Sequence, residues 1–278
     1  MDSSTSSAAR IDLNADVGES LGPWAMGTDA ELIPLVSSVN VACGAHAGDP
    51  ATIVRTVALA ADLGVTVGAH PGYPDLIGFG RRDLDMAADD LRASLVVQIG
   101  AVQAAARLAG TRVRHVKPHG ALYNRAARDP IVAGVVAAAI RDLDPALILV
   151  GLAGSASVAA GRAAGLDVAE EGFADRRYEA DGSLRSRRLD GALLSPADAA
   201  GQALSIARDG SVGVGDGSRI AVRADTICIH GDSPDAAAIA RAVRAALLGA
   251  GIRIEARNGD ARDAGIGAIG GRAPRADD

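Results

Sequence analysis

Lysine is almost missing from this 278-residue chain. Among 28 basic side chains a single one, Lys117, is not arginine. Either an arginine-rich chain has kept one lysine by chance, or the position needs a compact cation whose pKa responds to burial, which arginine is not. Aromatic residues are scarce too, at 2% of the chain. An aromatic core is therefore excluded, and Ala, Val, Leu and Ile must fill the interior. There are only two cysteines, Cys43 and Cys228, in separate apolar segments. That excludes a disulfide framework and reads as buried, reduced thiols in a cytoplasmic protein. No apolar run reaches the roughly 18 residues of a membrane span, and the polar opening MDSSTSSAAR lacks the apolar centre of a secretory signal. Positive charge is not in excess: the formal net charge is −6, which argues against nucleic acid or an anionic membrane as partner. Also missing are HExxH, CxxC, a GxGxxG after the first strand, and any P-loop.

What is present is alternation. Val/Ile/Leu-rich runs at 11–16, 39–44, 65–70, 112–117, 147–152, 166–172 and 225–230 read as seven strands, with 251–256 as one more. Helix starts lie between them. Thr28 with Glu31 reads as a capping box. Asp49-Pro50, Asp129-Pro130, Ser195-Pro196 and Ser233-Pro234 place a capping residue before a proline at the first helical position. A long Ala-rich helix closes near Gly110. Strands alternating with helices imply a parallel sheet, and seven or eight such units in about 250 residues suit a (β/α) barrel of TIM type better than an open sheet. Residues 211–222, around Asp216-Gly217, suggest a small hairpin. Residues 1–9 are expected to be disordered, 10–256 to form one barrel domain, and 257–278 to be a mobile tail.

Strand parity then sorts the polar residues. Ile11, Leu13 and Ala15 share one face of the first strand, and Asp12, Asn14 and Asp16 the other, inward-facing one. His70 shares the inward face of the third strand. His115, Lys117 and His119 share one parity, as do Thr226, Cys228 and His230. Asp16, His46, His70, Lys117, His119 and His230 all fall at or just past strand ends, on the rim where barrel enzymes carry their sites. The aromatics Trp24, Tyr73, Phe79, Tyr123, Phe173 and Tyr178 are expected in the loops of the same rim. His115 reads as a packed supporting residue and Cys228 as core. Arg81-Arg82 reads equally as a solvated pair or an anion site, and the run 185–188 as surface.

These groups suit acid–base chemistry on a small, polar, anionic molecule. Asp16 with His46 or His70 is the candidate base. Lys117 and His119 are candidates for stabilising negative charge, with Asp175 as a further catalytic residue. Asn14, Glu19, Tyr73, Arg82, Asn124, Arg176, His230 and Asp232 are candidates for holding the substrate. A metal on Asp16, His46 and His70 would use ordinary zinc donors, but residues on separate strands give no spacing to test, and no metal ligand is assigned. As a rim residue, Lys117 is expected to contribute little to stability.

DLNADVGES, NVACGAHAGDP, GAHPGYPDLIGFGRR, VKPHGALYN, EGFADRRY and DTICIHGDSP, in this order over residues 10–255, resemble the motifs of the LamB/YcsF family, the A subunits of ATP-dependent 5-oxoprolinases. Ala15 and Ala45 depart from the family's usual Cys and Phe. The resemblance implies a seven-stranded barrel similar to polysaccharide deacetylases. It implies opening of the lactam ring of 5-oxo-L-proline to L-glutamate, coupled to hydrolysis of ATP (with Mg) as co-substrate, in complex with B and C subunits and without a tightly bound cofactor. The runner-up is a stand-alone metal-dependent deacetylase or amidohydrolase.

Overall fold

Alternation in the first strand decides what the barrel holds inside and what it packs outside. The computed structural model describes residues 9–257 except Asp216 and Pro234; the predicted N-terminal segment and tail therefore lie outside the described residues, apart from Ala9 and Arg257. Strands β1 (Arg10–Val17), β2 (Ser38–Ala42), β3 (Thr66–His70), β4 (Val113–Val116), β5 (Ile148–Leu152) and β6 (Val168–Phe173) pair in chain order, all parallel. A two-stranded hairpin follows, β7 (Ser211–Gly213) with β8 (Arg219–Ala221). Strand β9 (Thr226–Ile229) then pairs with both β6 and β1 and closes a seven-stranded ring. The eighth predicted strand is reduced to β10 (Arg253–Ile254), paired with the start of β1.

The connecting helices are α1 (Asp29–Leu32), α2 (Pro50–Asp62), α3 (Ala88–Leu108), α4 (Gly120–Arg128), α5 (Pro130–Leu143), α6 (Ala156–Ala163), α7 (Pro196–Asp209) and α8 (Ala236–Gly249). Three predicted starts are observed. Asp49, Asp129 and Ser195 accept backbone N–H groups of the first turn, each ahead of a proline at the first position, where its missing donor does no harm. Two differ. Thr28 makes no side-chain cap, and α1 stops after one turn, passing into a 3-10 turn that contains Pro34. Helix α8 begins after Asp235, while the Ser233 hydroxyl is buried without a partner. Helix α4 was not expected. It places Tyr123 on a helix, and Phe173 ends β6, so neither lies in a rim loop.

The apolar residues of the strands (Leu13, Ala15, Val39, Val41, Val67, Ala69, Val116, Leu149, Ile227 and Ile229) are fully buried in the main core together with residues of the surrounding helices. Inside the ring the filling is mostly polar, with a separate cluster of Ile148, Val150 and Ala169. Among the described residues no helix is long and apolar enough to cross a membrane.

Candidate active site

The inward face of β1 starts a ladder of hydrogen bonds up the barrel interior. Asp12 accepts from Ser37, Ser38 and Thr226 at 2.5–2.9 Å. The Asn14 amide donates to Thr226 at 2.7 Å and Glu171 at 3.0 Å. Asn40 donates to Asn14 at 2.8 Å and to Asp16 at 2.9 Å, and its carbonyl oxygen faces His115 Nε2 at 2.8 Å. The His115 ring crosses the space beside Gly68, where any Cβ would collide with it. Burial, then the Lys117 charge, pushes His115 down to about 3; it is a neutral supporting residue, as its position before Val116 suggested.

Lys117 lies directly above. Its Nζ sits 2.9 Å from Asp16, 3.0 Å from Glu171, 2.9 Å from the Cys228 sulfur and 3.4 Å from Asn14, with 3% of its side chain exposed. Burial alone would depress its pKa; Asp16, Cys228 and Glu171 outweigh that and hold it well above the usual lysine value. An ammonium has three donors on one atom, and here they meet partners from β1, β6 and β9. A planar guanidinium does not reproduce that convergence of three partners on one nitrogen. The structure corrects one expectation: Lys117 is a buried ion-pair partner rather than a stability-neutral rim residue. Cys228 is fully buried in the main core, as expected, and its sulfur also accepts from Lys117.

The histidines form the next layer. His70 ends β3 and lies 3.4 Å from Asp16. Burial would raise the Asp16 carboxyl, but His70 and Lys117 hold it well below the usual range. His119 precedes α4, His46 sits in the β2–α2 loop, and their rings stack with centroids 3.7 Å apart. Burial pushes both well below the ordinary histidine value. Glu19 Oε1 lies 3.7 Å from both His46 Nε2 and His119 Nδ1, and burial with Asp16 nearby pushes Glu19 well above the carboxylate range. Glu19, His46, His70 and His119 each offer one ligand atom, all within 4.8 Å of one another. Phe79 covers them with a left-handed backbone (φ 54°) and a ring edge-on to His46 and His119.

The opposite side of the rim is cationic. His230 follows β9; its Nδ1 lies 3.0 Å from Asp175, and its ring stacks on Phe173. His230, Asp16 and Cys228 bring ligand atoms within 4.8 Å of one another. Asp232 is paired with Arg81 and, at 2.9 Å, with Arg187. Arg176 is buried beside them: one terminal N–H donates to the Arg185 carbonyl at 2.6 Å, while its Nε has no partner. Burial and then the Arg187 charge push Arg176 down to about 10.

Of the residues expected from sequence, Asn14, Asp16, Glu19, His46, His70, Lys117, His119, Asp175, Arg176, His230 and Asp232 converge. Three do not. Arg82 is paired with Asp75 and its side chain is 61% exposed. The Tyr73 hydroxyl engages Asp83 and Arg125. Asn124 is exposed on α4. Glu171 and Asn40 were not assigned roles; Glu171 shares the inward parity of Ala169 and Phe173, a signal blurred by its neighbour Glu170. Arg81, read as a solvated or anion-binding residue, and Arg187, read as surface, both pair with Asp232.

The LamB/YcsF family model matches residues 11–261. The chain is 54% identical to the 5-oxoprolinase A subunit of Methylococcus capsulatus, over 91% of this chain and 97% of that one. It is 54% identical to the 5-oxoprolinase A subunit of Chloroflexus aggregans, over 88% and 97%. Among solved structures, the lactam utilization protein of Thermus thermophilus superposes with a TM-score of 0.85 at 47% identity, covering 89% of this chain and all of that one. With a matching model along nine-tenths of its length and relatives above 50% identity nearly end to end, this chain belongs to the LamB/YcsF family.

Proposed function

We propose that the chain is the A subunit of an ATP-dependent 5-oxoprolinase, a hydrolase that opens the lactam of 5-oxo-L-proline to L-glutamate. The observation that carries this reading is the near end-to-end match, at 54% identity, to proteins of that name. The residues supply a chemistry for it. A lactam is a stable amide, and phosphorylating its oxygen provides the activation that ring opening near neutral pH needs. The chain has no P-loop, so nucleotide binding, Mg and the phosphoryl step are assigned to the B and C partner subunits. Arg176, with an unused buried donor beside Arg187, suits bidentate capture of the substrate carboxylate. His230, oriented through Nδ1 by Asp175, is placed to take a proton from water. Lys117 is a fixed cation below the site, of the kind that stabilises a tetrahedral oxyanion. Asp16, held ionised, keeps Lys117 and His70 in place.

The test is glutamate formation from 5-oxoproline and ATP by the purified chain alone and with the two partner subunits. Turnover only in the assembled complex is expected. Robust ATP-dependent turnover by the isolated chain would contradict the division of labour.

A further inference from the structure

Two buried histidine nitrogens, His70 Nε2 and His119 Nδ1, face each other 3.0 Å apart. His70 Nδ1 lies 2.7 Å from the Lys117 carbonyl oxygen. A carbonyl only accepts, so that nitrogen carries the ring's proton. His119 Nε2 lies 2.9 Å from the Phe79 carbonyl oxygen and carries its proton for the same reason. That leaves His70 Nε2 and His119 Nδ1 pointing at each other. Two such nitrogens at 3.0 Å in a buried site need a cation between them, either a proton or a metal ion. Nearby, His46 is 1% exposed and neither of its nitrogens has a hydrogen-bond partner. Its Nε2 is 3.7 Å from Glu19 Oε1, which is also 3.7 Å from His119 Nδ1.

We propose that Glu19, His46, His70 and His119 hold a divalent metal ion of the class of Zn2+. Their four ligand atoms lie within 4.8 Å of one another, and three of their separations, 3.0, 3.7 and 3.7 Å, bracket the spacing of about 3.3–3.6 Å between donors of a tetrahedral ion bound at about 2.0–2.2 Å. Three imidazoles and one carboxylate suit a borderline transition metal and disfavour Mg2+ and Ca2+, which take oxygen ligands. The supporting shell is present: metal-bound histidines donate their other N–H to a carbonyl or carboxylate, as His70 does to Lys117 and His119 to Phe79. The strained backbone of Phe79 gains a reason as well, since Phe79 supplies that carbonyl. Asp16 Oδ2, 3.4 Å from His70 Nε2, stands just outside the four. The metal site assigned here differs from the Asp16–His46–His70 set considered from the sequence: Glu19 and His119 enter, and Asp16 serves Lys117.

Metal content is read without any turnover, so the proposal stands or falls apart from the oxoprolinase assignment. The experiment uses the full chain, stripped with a chelator, dialysed, and titrated with Zn2+ and separately with Co2+. We expect one equivalent of Zn2+ per chain by elemental analysis, a rise in melting temperature on metal addition, and the intense visible absorption of four-coordinate Co2+. His46→Ala breaks no hydrogen bond and should fold; it and Glu19→Gln should each weaken binding at least about tenfold. Two results would overturn the proposal. One is a chain that binds neither ion, leaving a proton to bridge His70 and His119. The other is stoichiometric binding that both variants leave unchanged, which would put the ion elsewhere.

Discussion

Replacing Lys117 by methionine keeps an unbranched side chain of similar length and removes the ammonium in contact with Asp16 and Glu171. Both carboxylates are buried, with side-chain exposures of 6% and 0%. Breaking a buried ion pair from one side leaves an uncompensated charge and costs about 3–5 kcal/mol. At roughly 2–4 °C per kcal/mol for a large domain, the melting temperature should fall by roughly 6–20 °C. The loss has a pH signature. Asp16 is depressed in the folded chain, so its contribution is present above its ordinary value of 3.8 and lost as pH falls through the folded value. Removing Lys117 takes away part of that depression, so the deficit should be full at neutral pH and narrow in acid. Lys117→Arg tests shape instead of charge. Forcing a guanidinium among Asp16, Glu171 and Cys228, with the Phe173 ring 5.5 Å away, should cost about 1–3 kcal/mol through overpacking. The assays are thermal melts from pH 2 to 8 and turnover in the reconstituted complex. A Lys117→Arg chain with wild-type melting temperature and turnover would refute the reasoning and return the lone lysine to chance.

Three further outcomes are expected. His115 is depressed to about 3, so the folded chain binds fewer protons than the unfolded one below 6.5; stability is full above that value and falls with pH by about 1.4 kcal/mol per unit. His115→Gln should flatten this slope in melts between pH 7 and 4. Gly80→Ala should lower stability by about 1–3 kcal/mol in denaturant titrations, because Gly80 has φ +62° and a Cβ there would lie 2.8 Å from atoms of His46 and His119. Arg176→Met should raise KM for 5-oxoproline in the assembled complex by at least about tenfold while leaving kcat near wild type, the pattern of a lost binding contact.

Sequence parity located the polar ladder because strand side chains alternate strictly, so Asp12, Asn14 and Asp16 had to share a face. It also brought His46, His70 and His119 to one rim. Parity could not say which donors would meet, because neighbours across a barrel depend on register and loop path. Glu19 joined the histidines only through the course of the loop after β1. Helix α4 was hidden for a local reason. It opens at Gly120 without a side-chain cap, and the glycine is required because a Cβ there would lie 2.7 Å from the Gly80 carbonyl oxygen. Asp129 both ends α4 and caps α5, so from the sequence its capping signal marked only the second helix. The loop residues Tyr73 and Arg82 looked available for substrate because their partners, Asp83 with Arg125 and Asp75, could not be read from spacing.

The central claim, that the reacting site is the charge cluster around Asp16 in the barrel mouth, is tested most directly by Asp16→Asn. Asparagine keeps the volume and removes the charge that pairs with Lys117 and His70. Glutamate release from 5-oxoproline and ATP is measured in the assembled complex, after melts and gel filtration have established that the variant folds and associates. The account predicts that glutamate formation falls by about 10²–10³ or more, as when a preorganised electrostatic contact is lost, in a chain that still joins its partners. Unchanged glutamate release from that folded, assembled variant would contradict it.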